Sequence, residues 1–237
     1  SGIAVLTELA KAVAARPRRL TYRFLFVPGT IGSLAWLHMH REVVDRVTHG
    51  LVVTGLGDGS AFTYKQSRHG GRAIDRVVAT LLRDEHAGEV RPWSPYGYDE
   101  RQYCSPGFDL PVGRLTRGVH GEYPEYHTSA DDLDFVDDAQ LAGALGFLER
   151  VVDVIEADGA VVNRSPFGEP QLGRRGLYSE TGGGVNARSV EMAYLWVLDG
   201  GGRGDLVAVS ERSGLPIAAV LQAAERLRDA GLIEVVP

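Results

Sequence analysis

Residues 123–136 read Tyr123-Pro124-Glu125-Tyr126-His127-Thr128-Ser129-Ala130-Asp131-Asp132-Leu133-Asp134-Phe135-Val136. His127 stands between an aromatic residue and a hydroxyl pair, and three aspartates follow it closely. A loop histidine ahead of carboxylates that can orient its ring suits a transition-metal ligand or a general base. The same pattern also suits a polar loop whose aspartates cap the helix beyond it.

Outward from that stretch, the chain alternates strands and helices. Downstream, Leu141, Leu145, Leu148, Val151 and Val152 repeat at helical spacing and predict a helix over 140–155. Upstream, the pattern predicts a helix over 3–15 that ends at Arg16-Pro17, and a strand from Tyr22 to Val27. A helix over about 30–44, a strand over 51–56 and a short strand over 62–64 follow. A helix over 73–82 and a strand over 111–115 complete the series. Such alternation implies a mainly parallel sheet covered on both faces, with ligands at the carboxyl ends of the strands. Residues 157–185, rich in Gly, Pro and Arg, read as a linker or irregular arm. From 186 to 237 the order helix, short helix, glycine turn, helix, glycine, strand is that of a winged helix.

The chain has 237 residues, a formal net charge of −6 and one cysteine, Cys104, so it forms no internal disulfide and no multi-cysteine zinc site. A cytoplasmic setting fits, and no apolar run is long enough to span a membrane. From Glu156 onward there are eight arginines, no lysine and eleven acidic residues. Nucleic-acid binding needs net positive charge on the docking face, so packing or self-association suits the C-terminal domain better than reading DNA. Lys11 and Lys65 are the two lysines, a bias read as compositional. His49, His69, His86 and His120 read as solvated, and Cys104 is tied to no histidine by motif. Gly182-Gly183-Gly184 lacks the flanking strand and the Lys-Ser or Lys-Thr pair of a phosphate cradle.

Three segments carry a resemblance: Phe26-Val27-Pro28-Gly29-Thr30-Ile31-Gly32-Ser33, Asp99-Glu100-Arg101-Gln102-Tyr103 with Gly107 to Pro111, and the His127 stretch. Together the chain resembles the zinc-dependent aminopeptidase fold. More narrowly, it is similar to a bacterial aminopeptidase-like family with a C-terminal winged helix, often encoded beside polysaccharide-biosynthesis genes. The resemblance implies a three-layer α/β/α domain over 1–156 and a winged helix over 186–237. It implies zinc held by His127, while Asp58, at the end of a strand between two glycines, reads either as a second ligand or as a turn aspartate. Asp99 and Glu100 are implied at the active site, as supports or anchors for a substrate amine, with Tyr103 and Tyr126 lining the substrate. The expected substrate is a peptide or a small amide, attacked by metal-activated water.

Two departures bear on activity. Resembling sequences usually carry glutamate where Gly29 stands, and glycine can neither take a proton nor bind a metal. Their early ligands, a histidine and an aspartate, fall in a segment that ends where Ser1-Gly2 stand. The chain therefore reads as the later part of a longer protein, with zinc weak or absent in this part and little peptidase activity. A non-catalytic binding or assembly module on the same fold is the alternative, and a DNA-binding regulator a third reading.

Overall fold

Tyr64 and Lys65 are neighbours on one strand and face opposite ways, and their partners define the layers of the first unit. The computed structural model describes residues 1–177 and 185–236, in two compact units, Ser1–Glu156 and Ala157–Pro237. In the first unit the strands β1 (Gly50–Val53), β2 (Phe62–Lys65), β3 (Gly88–Arg91) and β4 (Val112–Thr116) form one sheet in the order β1-β4-β2-β3. β1 runs parallel to β4 and β2 parallel to β3, while β2 and β4 are antiparallel.

Tyr64 donates through its hydroxyl to Asp75 (2.8 Å), on the helix Ala73–Glu85, and Phe62 on the same face lies 4.9 Å from the ring of Phe147, on the helix Asp138–Ala157. Lys65, one residue on, reaches instead to Glu100 in the one-turn helix Glu100–Tyr103. Side chains alternate across a strand, so helices cover both faces of the sheet. In chain order the helices of this unit are α1 (Gly2–Ala14), α2 (Ile31–Met39), α3 (Arg41–Val44), α4 (Ala73–Glu85), α5 (Glu100–Tyr103) and α6 (Asp138–Ala157). The mixed α/β fold with a mainly parallel sheet is the one expected. Gly113 on β4 lets Tyr64 cross the sheet: a Cβ there would lie 2.1 Å from the tyrosine oxygen. On the other face Leu37, Tyr103, Cys104, Leu110 and Val112 form a core into which Leu25 and Trp36 pack.

Three elements differ from expectation. Tyr22–Val27 joins no ladder; Tyr22 donates to the Glu156 carboxylate (2.8 Å), the Leu20 amide does so at 3.2 Å, and Phe26 is left 51% exposed. An apolar run specifies burial but not the partner that provides it. The helix expected over 30–44 breaks at His40 (φ −125°, ψ 36°), whose ring stacks on Trp36 at 5.3 Å. Strand β3, with the pattern Gly-Glu-Val-Arg, lacks the apolar alternation that would have marked it.

The second unit pairs β5 (Ala160–Asn163) antiparallel with β6 (Ile233–Val236). Its helices are α7 (Val185–Asp199), α8 (Leu206–Ser213) and α9 (Ile217–Asp229), the order of a winged helix. The expected arm over 157–185 therefore supplies a strand, while Gly182–Gly184 lies outside the described residues. Ile217 and Val220, in the first turns of α9, are buried, as is Leu227. Among the described residues no helix is long and apolar enough to cross a membrane.

Two stability measurements check this packing. Gly113→Ala forces Tyr64 aside and is expected to lower unfolding free energy by about 1–3 kcal/mol in urea titration, the usual effect of overpacking. In the second unit Asp205 caps α8 through the Ala208 amide (2.7 Å), and Asp158 accepts from the Val207 amide (3.2 Å) at the same helix start. Burial, then the Asp205 charge, push the Asp158 carboxyl up to about 6 from its ordinary value near 3.8. A carboxyl raised by folding binds protons more tightly in the native state, so its stabilising effect is full below pH ~4 and is lost as pH rises towards ~6. Asp158→Asn removes that loss, and its unfolding midpoint is expected to gain on the parent between pH 4 and pH 7.

Candidate active site

Asp99 pins the loop that leads into α2. One of its oxygens accepts from the Thr30 amide (2.9 Å) and from the Ser33 hydroxyl (2.7 Å), so a carboxylate holds the start of that helix. Thr30 has φ 49°, a left-handed conformation costly for a β-branched residue, and the Asp99 bond helps to keep it there. Gly29 lies just before it, and a Cβ at that position would stand 3.3 Å from the ring of Tyr98.

Glu100, the next residue, is fully buried. Lys65 Nζ donates to its Oε1 (2.9 Å), Arg114 Nη1 lies 3.6 Å from the same oxygen, and the Tyr98 amide donates to Oε2 (3.0 Å). Lys65 also donates to the Tyr96 carbonyl (2.7 Å) and sits 4.5 Å from the centre of the Trp93 ring. Glu100 is thus a structural anion between two buried cations rather than an open base.

Arg114 extends the cluster to His120, with Nη1 at 3.1 Å from Nδ1. Around the His120 ring stand Tyr98 (5.4 Å), Tyr96 (5.9 Å) and Tyr126 (6.0 Å), and Tyr126 stacks on His127 at 4.0 Å. His127 is exposed, with φ 58°. Burial and the neighbouring Arg114 hold His120 below the ordinary histidine pKa. Ring contacts therefore run from Tyr98, next to Asp99 in the chain, through His120 and Tyr126 to His127, while Glu100 is buried.

Two expected site residues have other contacts in the structure. Asp58 is buried and turns its oxygens to the backbone: Ser60 donates at 2.9 Å, and Gly118 at 3.1 Å to each oxygen. It fastens the end of β4 to the loop after β1. Tyr103, expected to line a pocket, packs in the core 6.3 Å from Trp36; burial, then the Asp99 charge, push its hydroxyl up to about 12. The Cys104 thiol is buried, donates to the Leu110 and Val112 carbonyls, and is pushed up by burial, which suits packing and not reactivity. Lys65, Arg114 and His120 were not expected at the site.

A zinc site takes three or four protein ligands. Among the described residues no group of three or more His, Cys, Asp or Glu side chains could hold a metal ion. Asp58 is committed to backbone amides, so the expected pairing with His127 does not supply a set, and the residues present do not fit zinc by themselves.

Residues 1–158 match the family described as "Domain of unknown function (DUF4910)", and residues 160–235 match a winged helix-turn-helix family. The chain belongs to the DUF4910 family. A Clostridium acetobutylicum relative named "Putative polysaccharide biosynthesis protein with aminopeptidase-like domain" is 38% identical over 240 residues, covering 100% of this chain and 55% of the relative. A crystal structure described as a "putative peptidase" from the same organism superposes with a TM-score of 0.89 at 34% identity, covering 99% of this chain and 53% of that one. The DUF4910 chain thus spans about half the length of the relatives it matches. The mixed α/β first unit and the winged helix of the second follow the expectation, and the curated relative is named for an aminopeptidase-like domain.

The Glu100 cluster gives an asymmetric prediction. Glu100→Gln keeps the shape but leaves Lys65 and Arg114 buried without their anion, a change expected to cost about 3–5 kcal/mol in urea unfolding. Lys65→Met is expected to cost clearly less, because Arg114 still faces Glu100.

Proposed function

We propose that this chain works within an aminopeptidase-like amide hydrolase whose reaction face is the surface running from Asp99 through Tyr98, His120 and Tyr126 to His127. The observation that carries the reading is the Asp99 clamp on the Gly29–Thr30 loop. It sets that loop beside Tyr98, from which ring contacts lead through His120 and Tyr126 to His127, on a chain similar to a relative named for an aminopeptidase-like domain.

In this reading the substrate is a peptide or small amide with a free amino group. Asp99, partly exposed, is the carboxylate within reach of that amine, since Glu100 is sealed between its cations. Tyr126 and the exposed ring of His127 line the approach. Zinc belongs to the proposal for a longer protein, with His127 as this chain's contribution and the remaining ligands from outside the described residues. The single, buried Cys104 agrees with a cytoplasmic setting.

The test compares the 237-residue chain with the same chain joined to the part of the Clostridium relative that it does not span. Bound zinc by elemental analysis and hydrolysis of aminoacyl-p-nitroanilides are the readouts. Near-stoichiometric zinc and hydrolysis are expected in the joined protein, with both reduced at least tenfold by His127→Ala. A folded joined protein with neither overturns the hydrolase reading.

A further inference from the structure

The cluster around Glu100 holds more positive charge than its one carboxylate balances. Lys65, Arg114 and Glu100 are all buried, two cations against one anion. The Nε of Arg114 is buried and has no hydrogen-bond partner among the described residues. Burying a charge without a counter-charge is costly, so such a cluster favours an anion nearby. The other charges in the neighbourhood do not fill that place. Glu122 and Glu89 are both bonded to Arg91, at 2.7 and 2.6 Å, and their side chains are more than half exposed, where solvent screens them.

His120 turns this buried charge towards solvent. Arginine can only donate, so the contact of Arg114 Nη1 with Nδ1 makes that nitrogen the acceptor. In the neutral ring the proton then sits on Nε2, which becomes a donor on the far edge. The ring is half-buried and framed by Tyr96, Tyr98 and Tyr126. A donor backed by a buried cation and walled by flat rings recognises an acidic group carried on a ring-shaped body.

We propose that the His120–Arg114–Lys65 cluster, framed by Tyr96, Tyr98 and Tyr126, is a binding subsite for the carboxylate of a small ring-bearing acid. His120 Nε2 donates to the carboxylate, Arg114 fixes the His120 tautomer, and the tyrosine rings receive the body of the ligand. The ring can be that of a uronic-acid sugar or of an aryl acid, which share this chemistry. The subsite goes beyond the hydrolase reading and does not depend on it, because it requires neither a metal nor turnover.

Titration calorimetry on the 237-residue chain, with Trp93 fluorescence as a second readout, tests the proposal with glucuronate and benzoate against their neutral counterparts glucose and benzamide. At least one acid is expected to bind tenfold or more tightly than its counterpart, and which acid does so identifies the ring. His120→Ala is expected to abolish that preference, as is Arg114→Gln if circular dichroism shows it folded. Arg228→Gln, an exposed arginine of the second unit, is expected to leave it unchanged. If neither acid is preferred over its neutral counterpart, or if His120→Ala binds the acid as the parent does, the subsite is overturned. Hydrolysis is not read in this experiment, so its outcome is separate from that of the zinc and anilide measurements.

Discussion

Lys65 and Arg114 stand directly opposite each other in the antiparallel pair β2–β4, on the same face of the sheet. Like charges so placed repel, and burial strengthens the repulsion. Glu100 resolves it by placing one carboxylate against both cations. The solution requires room, and Gly97 provides it: a Cβ there would lie 1.9 Å from Glu100 Oε1. It also draws in the chain before α5, because Lys65 holds the Tyr96 carbonyl and Glu100 holds the Tyr98 amide. Buried ion pairs add little net stability once desolvation is counted, but they admit few alternative arrangements. Here the arrangement they select fixes Tyr96, Tyr98 and Asp99, and through Asp99 the Thr30 loop. Most of the candidate site is thus positioned by one carboxylate that the site itself need not touch.

The second unit solves a smaller version of the same problem with the opposite sign. Asp158 and Asp205 both approach the start of α8, where unpaired amides and the helix dipole favour negative charge. One carboxylate suits that position, and the second is driven towards its neutral form by burial and by its neighbour. In each unit a short helix is placed by charge and backbone donors, while the apolar faces of the longer helices provide the bulk of the packing.

This division explains what could be read from the sequence. Helices with regular apolar spacing, α1, α4, α6 and α9, were legible because their period is written in the residues that they bury. The mixed α/β class and the winged helix followed from the order of such patterns. Strand β3 was not legible, because at the sheet edge its residues are largely exposed and need not alternate. Nor was the fate of Tyr22–Val27, whose burial is met by Glu156 and the Leu37–Tyr103 core instead of a neighbouring strand. At the site, the motif residues Asp99, Glu100 and His127 stood out as chemistry-bearing types. The roles of Lys65, Arg114 and His120 arise from contacts between distant segments, and no local pattern records them.

Gly29 gives the surface its particular electrostatics. Where resembling sequences usually carry glutamate, this chain presents no side chain beside Tyr98. A carboxylate at that position would add negative charge to the face on which His120 and the tyrosines lie, and would compete for the positive field of Lys65 and Arg114. Within the hydrolase reading, glycine there offers neither a proton acceptor nor a metal contact. Behind the same face the Glu100 cluster sets two buried cations against one buried carboxylate. In the reading proposed above, a position beside Tyr98 without a carboxylate leaves the face more receptive to an acid brought by a ligand.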